Sequence, residues 1–260
     1  MLPILYRDER LIAIHKPAGL LVHRSEIDRH ETRFAVQMLR DQIGQHVYAA
    51  HRLDKGTSGI LLFALDKDAA REMGALFEQQ KIDKTYLAVV RGHPPAAGRI
   101  DHALTRQRDD REWRGDRAGA EAQSAVTDYR TLANVELPVM VDRYPASRYA
   151  LMALSPLTGR RHQLRRHLKH IAHPIIGDAT YGKGVHNRYF AEHLDSRRML
   201  LACVETAFTH PYSGERLTLR APLDGDFAGI VRRFAWEATL AEGWLSPADG
   251  AADQDPPTKP

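Results

Sequence analysis

HRLDKGTSGILLFAL, His51 to Leu65, divides into two halves of different character. Ile60 to Leu65 is an unbroken apolar run of strand length, the pattern of a strand covered on both faces. Ahead of it, Lys55-Gly56 and Thr57-Ser58-Gly59 are turn-forming. If Arg52-Leu53-Asp54 is extended, alternation sends Arg52 and Asp54 to one side and Leu53 into the core. A carboxylate and a guanidinium then stand at the rim of a rigid strand, a placement that suits a functional site. A purely structural Arg–Asp pair satisfies the same pattern. A cation beside a carboxylate favours its charged, nucleophilic form.

Outward from this segment, the pattern predicts strands at Leu2 to Tyr6 and Leu11 to His15, around a turn at Asp8-Glu9-Arg10. Pro17 and Gly19 in HKPAGLLVH mark a further turn. Thr32 to Ile43 reads as a helix with Val36, Leu39 and Ile43 on one face. Asp68 is expected to cap a helix running to about Gln80. Strands are expected at Thr85 to Val90, Ala125 to Val135, Arg148 to Leu154, Met199 to Phe208 and Arg216 to Leu219. Gly159 to His170 reads as a helix burying Leu164 and Leu168, with Ile171 following on the same face. Asp226 to Trp236 reads as a closing helix. Strands outnumber helices and do not alternate strictly with them, so the class is α+β. Tyr86 lies in one of the strands, either as a core aromatic or as a ring that could stack on a base.

A chain of 260 residues, 43% hydrophobic and 27% charged, can bury a core without metal or disulfide support. Cys203 is the single cysteine, which excludes a disulfide framework, fits a reducing compartment and reads as a core residue. The charged N-terminus does not read as a signal peptide, and no apolar run approaches a membrane span, so a cytoplasmic protein with no membrane partner is expected. Net charge is +4. Its distribution says more. From Arg143 through Gly177 there is no Asp or Glu, while Arg143, Arg148, Arg160, Arg161, Arg165, Arg166, Lys169 and four histidines fall in the same stretch. Such a stretch is a candidate surface for a polyanion, or a solvated helix face that the fold supplies with acidic neighbours. Thr158 and Gly159 precede its helix, whose first N–H groups could meet a phosphate. Arg165, five residues past Arg160, falls on a different face, so one arginine could reach a buried carboxylate while others meet phosphate.

His167, His170 and His173 repeat at intervals of three, but no Cys or acid accompanies them and Pro174 ends the helix, so no metal site is expected. No Walker loop, GxGxxG, nucleophile elbow or CxxC is present, and no cofactor is expected. Leu104 to Ser124 carries five charges of each sign with little apolar content and reads as a mobile loop. Residues 246–260 read as a disordered tail.

HRLDKGTSG, KTYLAVVRG (Lys84 to Gly92) and TGRRHQLRRHL (Thr158 to Leu168), in this order, resemble the RluA family of pseudouridine synthases. HKPAGLLVH and HPIIGDATYG (His173 to Gly182) fit the same pattern. The resemblance covers about residues 1 to 235. It implies one catalytic domain, 1–240, with a mixed, mainly antiparallel sheet in two subdomains flanked by helices and the active cleft between them. The small S4-like RNA-binding domain that some relatives carry at the N-terminus is not expected. The resemblance implies isomerisation of a uridine in RNA, with no cofactor. Asp54 matches the catalytic aspartate, Tyr86 the active-site tyrosine, and Arg165 the arginine paired with that aspartate. Arg52 matches the arginine that enters the RNA stack when the base flips. Arg160, Arg161, Arg166 and Lys169 are then the expected phosphate contacts. Within the family, VHRSEIDRHE, DQIGQHVYAAHRLD and VDRYPASRYALMAL resemble the members that act on uridine 65 of tRNA. A uridine of rRNA is the alternative substrate, a non-catalytic RNA-binding protein is the alternative class, and a monomer is expected.

Overall fold

In the computed structural model, residues 1–24, 30–107 and 121–246 are described. In chain order their elements are β1 (Ile4–Arg7), β2 (Leu11–Lys16), α1 (Ala35–Ile43), β3 (Tyr48–Ala49), β4 (Ser58–Ala64), α2 (Lys67–Glu78), β5 (Asp83–Arg91), β6 (Ala97–Asp101), β7 (Leu104–Thr105), β8 (Ala122–Gln123), β9 (Val126–Leu137), β10 (Ser147–Pro156), α3 (Gln163–His170), α4 (Gly184–His193), β11 (Leu201–Thr209), β12 (Arg216–Arg220) and α5 (Gly225–Arg233). The class is α+β, as the pattern predicts.

One long sheet runs in the order β1-β2-β4-β11-β5-β10-β9-β6, with β12 added beside β11 and β3 beside β4. The central strands carry unbroken apolar runs, Ile60 to Ala64 in β4, Tyr86 to Val90 in β5 and Tyr149 to Leu154 in β10, because both faces are covered there. Alternation divides β5 and β10 between two cores. Tyr86, Ala88 and Val90 join Ala150, Met152 and Leu154 on one face, with Leu39 of α1, Met73 of α2 and Leu168 of α3. Leu87 and Val89 join Tyr149 and Leu151 on the other, with Phe190 of α4 and Phe227 of α5.

The two halves of the sheet meet at β4 and β11. Among the ladders of the described strands theirs is the parallel one, and it is short, pairing Ala202 with Ser58 and Cys203 with Gly59. Gly59 makes this approach possible. Its φ is +107°, and a Cβ there would lie 2.0 Å from the carbonyl oxygen of Cys203. The turn of HRLDKGTSG, with the Thr57 N–H donating to the Asp54 carbonyl at 3.0 Å, therefore sits at the seam between the halves.

Several elements differ from the pattern-based reading. Asp66, not Asp68, caps α2, its Oδ1 accepting from the Ala69 N–H at 2.8 Å. Asp68 lies in the first turn instead. The helix expected from Gly159 begins only at Gln163, because the Gln163 side chain holds the preceding residues in a loop. Its Oε1 accepts from the Arg160 N–H at 3.0 Å and the Thr158 hydroxyl at 2.7 Å, and Nε2 donates to the Val126 carbonyl at 3.0 Å. His162 closes that loop in a left-handed conformation, φ 54°. The helix α4 has no sequence signal of its own, since only His186 and Phe190 are buried along it. Of the expected loop from Leu104 to Ser124, the two ends pair as β7 and β8, and the middle lies outside the described residues. All but the first residue of the expected tail lies outside them as well. No described helix is long and apolar enough to cross a membrane.

Candidate active site

Leu53 is buried, and that anchors the extended stretch before β4. Arg52 and Asp54 on either side of it line a cleft of about 430 Å³, with Arg52 exposed at its rim. Asp54 is the one carboxylate among the described residues that line this cleft.

Arg165 reaches it from α3. Its side chain is buried, 10% exposed. The reason is Asp178. Its side chain is fully enclosed and binds the guanidinium as a fork, Nε to Oδ2 at 2.7 Å and Nη2 to Oδ1 at 2.8 Å. That leaves Nη1 to donate to Asp54 Oδ2 at 3.0 Å. Asp178 is itself oriented by backbone, its Oδ1 accepting from the N–H groups of Thr180 and Tyr181 at 2.9 and 3.0 Å. Burial raises the Asp178 carboxyl, but Arg165 and these N–H donors outweigh it and hold it below its ordinary value. Burial likewise works against the Arg165 charge, and the two carboxylates more than offset it. The Tyr181 ring lies under the guanidinium, 5.0 Å from centroid to carbon.

Gly177 lets the segment that carries this second acid pack against the Arg198 backbone. Its φ is +80°, and a Cβ would lie 1.9 Å from the Arg198 carbonyl oxygen. His162 completes the surroundings of Asp54, with Nε2 3.8 Å from Oδ1 and Nδ1 3.1 Å from the Tyr181 hydroxyl. Burial keeps its imidazole below its ordinary value against the pull of Asp54. Below the turn, the fully buried Lys16 ammonium donates to the carbonyls of Leu20 at 2.7 Å, Pro17 at 2.9 Å and Lys55 at 3.3 Å. A buried ammonium needs such acceptors, and here they tie the early HKPAGLLVH segment to the residue after Asp54.

Tyr86 comes from β5, opposite Leu154 and Cys203. It is buried except for 9% and lines the cleft. Burial pushes its hydroxyl well above its ordinary value, so it stays protonated at neutral pH. Phe77 and Lys84 share the lining. The Lys84 ammonium lies 5.7 Å from the Phe77 ring centre and is pushed down by burial. The loop before α3 brings Arg160 and Arg161 to the same cleft. Arg160 also donates to the Ser124 carbonyl, and Arg166 to the Thr105 carbonyl, both at 3.0 Å, so these two arginines hold the ends of the 104–124 segment. Lys169 is exposed and lies away from the cleft lining, over Tyr181 at 5.8 Å.

The structure thus brings Arg52, Asp54, Tyr86, Arg160, Arg161 and Arg165 to one cleft, and sets Arg166 and Lys169 outside it. Residue patterns missed Asp178, His162, Lys84 and Phe77 as members of the site or its support. Asp178 had a signal. It is the residue at which the acid-free stretch ends. Among the described residues no group of three or more His, Cys, Asp or Glu could hold a metal.

Residues 10–170 match the model of the RNA pseudouridylate synthase family. This chain belongs to that family. Over 240 residues it is 49% identical to tRNA pseudouridine synthase C of Vibrio cholerae, covering 92% of this chain and 98% of the relative. It is 48% identical over 237 residues to tRNA pseudouridine synthase C of Haemophilus influenzae, covering 91% and 99%. Among solved structures, human RNA pseudouridylate synthase domain containing 1 superposes with a TM-score of 0.65 at 27% identity, over 86% of this chain and 84% of the other. The resemblance of the five motifs to this family, and the fold it implies, are borne out.

Proposed function

We propose that this chain isomerises a uridine of tRNA to pseudouridine, and that the uridine is number 65. The observation that carries the reading is one carboxylate, Asp54, set in a cationic cleft against a guanidinium that Asp178 holds rigid. Relatives at 48–49% identity are named as tRNA pseudouridine synthases, and the stretches quoted above resemble those acting on uridine 65.

In the reaction the bond between N1 and C1′ breaks and one between C5 and C1′ forms. N1 gains a proton and C5 loses one, so no oxidant, reductant or cofactor is consumed. The uridine leaves the stack at a cost of a few kcal/mol, and Arg52 at the exposed rim fills the space it vacates. The uracil lies in the cleft against the Tyr86 ring. Asp54 is the group that attacks the nucleoside, and Arg165 aims it. Arg160 and Arg161 meet backbone phosphate nearby, and Arg166 and Lys169 do so further along the RNA. Residues 1–240 act as one catalytic domain.

The test is Asp54→Asn on a tRNA transcript, with folding verified by circular dichroism. The folded variant is expected to form no pseudouridine. Full activity in it would remove Asp54 from the chemistry. Pseudouridine mapping in cells lacking the protein is expected to show loss at tRNA position 65, and loss confined to rRNA would replace the substrate.

A further inference from the structure

The cleft that holds Tyr86 is one of two that meet at Asp54. A second cavity, about 690 Å³, lies on the other side of the turn and shares Arg52, Leu53, Asp54, Arg161, His162 and Arg165 with the first. Their chemistry differs. The first adds Phe77, Tyr86, Pro156 and Leu201, rings and apolar faces fit for a base, beside the cations Lys84 and Arg160. The second has no Phe, Tyr or Trp among its described lining residues, and instead adds Arg24, Lys55, Arg197 and Arg198. Asp54 is the one carboxylate among the described lining residues there too.

We infer that this second cavity holds the phosphodiester strand flanking the target nucleotide, with Arg197 and Arg24 contacting its phosphates. The inference rests on the reading of the chain as an enzyme acting on RNA. It follows from sorting the four added cations. Arg198 is committed inside the protein, donating to the Ser58 hydroxyl at 2.7 Å, to the Met199 carbonyl at 3.1 Å and to Asp224 at 3.2 Å. Lys55 pairs with Glu31 at 3.0 Å. Arg197 is exposed, and what anchors it is its backbone N–H, which donates to Asp226 Oδ2 at 2.9 Å. Its side chain can therefore meet RNA, and its removal leaves the anchor intact. Arg24 also lines the cavity, one residue past the HKPAGLLVH segment that Lys16 ties to the Lys55 carbonyl. A base in one lobe and the adjoining phosphates in the other place the ribose between them at the waist, where Asp54 is. An aromatic lobe for the base and a cationic lobe for the strand divide recognition as nucleic-acid-binding sites generally do.

The experiment compares wild type, Arg197→Ala, Arg197→Lys, the Arg24→Ala/Arg197→Ala double variant and Arg233→Ala as a control on the outer surface of α5. Binding of a tRNA transcript is measured across 50–200 mM KCl, and kcat and KM for pseudouridine formation are measured at one salt. Arg197→Ala is expected to raise Kd and KM three- to tenfold, hold kcat within twofold, and flatten the slope of log K against log salt by about 0.7–0.9 per lost contact. Arg197→Lys keeps the charge and most of the slope, the double variant loses about twice as much, and Arg233→Ala loses nothing. Unchanged slope and KM in the double variant overturn the inference, as does a fall in kcat with the slope intact, since that would make Arg197 a support for the turn. If wild type binds tRNA and the slopes fall but no pseudouridine forms, the functional reading fails and the surface stands. If wild type is active and the slopes do not move, the surface fails and the functional reading stands.

Discussion

Arg165 belongs to Asp178 more than to Asp54, since two of its three donating groups are locked to the buried acid and only Nη1 reaches into the cleft. Asp178 thus fixes the guanidinium that meets Asp54, the group given the chemistry in the proposed function. Asp178→Asn is expected to lower kcat about 10²-fold with KM changed less than threefold, because small misplacements of catalytic groups cost that much. Breaking the buried pair also costs about 3 kcal/mol of stability. Single-turnover pseudouridine formation, with urea unfolding alongside, checks both. An unchanged kcat in the folded variant would show that Arg165 needs no second acid.

Gly59 is tested by contrast with Gly44. Both have positive φ, but a Cβ at Gly44 meets nothing within 4 Å, whereas at Gly59 it collides with Cys203 backbone. Gly44→Ala is expected to cost about 1 kcal/mol, the ordinary penalty of a left-handed residue. Gly59→Ala is expected to separate β4 from β11 and give insoluble or largely unfolded protein. Similar unfolding midpoints for the two variants would contradict the tight seam.

Acid should destabilise the protein through histidines that the fold holds neutral, the buried His186 and the half-buried His51. Burial, helped by Arg91 and Lys183, pushes His186 down to about 4, and burial pushes His51 down to about 3. Both take a proton near pH 6.5 once unfolded. Between roughly pH 6.5 and 4 the unfolded chain therefore binds more protons, and stability falls as pH falls. The contribution is fully present above 6.5. Urea midpoints at pH 7, 6 and 5 are expected to decline, and His186→Gln to decline less steeply. A pH-independent midpoint over that range would refute it.

Lys169 and Arg166 should separate on substitution, although both lie on the basic helix. Lys169 is exposed, and Lys169→Ala is expected to flatten the salt dependence of tRNA binding by about 0.7–0.9 and do nothing else. Arg166→Ala also frees the Thr105 carbonyl. Faster amide exchange at Gln123 and Arg106 is expected in that variant alone, and equal exchange in both would deny Arg166 its structural part.

The residues that touch the cleft were legible where chemistry and local pattern coincide. Asp54 sits before an apolar strand, Tyr86 within one, and Arg165 in a basic helix, each inside a recognisable segment. Asp178 was quoted within such a segment and still missed as a partner, because its role depends on a contact 13 residues away across a turn that only tertiary packing closes. The late start of α3 was hidden for the same reason. Gln163 reads as an ordinary helical residue until Val126 and Thr127 are placed beside it. The helix α4 was invisible because it covers the second core with two side chains rather than a stripe.

The seam at β4 and β11 has a consequence for how the protein is made. Asp54 and Arg165 are 111 residues apart, and the strand that braces Gly59 begins at Leu201. During synthesis the carboxylate emerges long before its guanidinium, and the guanidinium before the wall that closes behind it. A nascent chain therefore carries Asp54 without the neighbours that surround it in the fold. The sheet is complete only once β11, late in the chain, takes its place between β4 and β5.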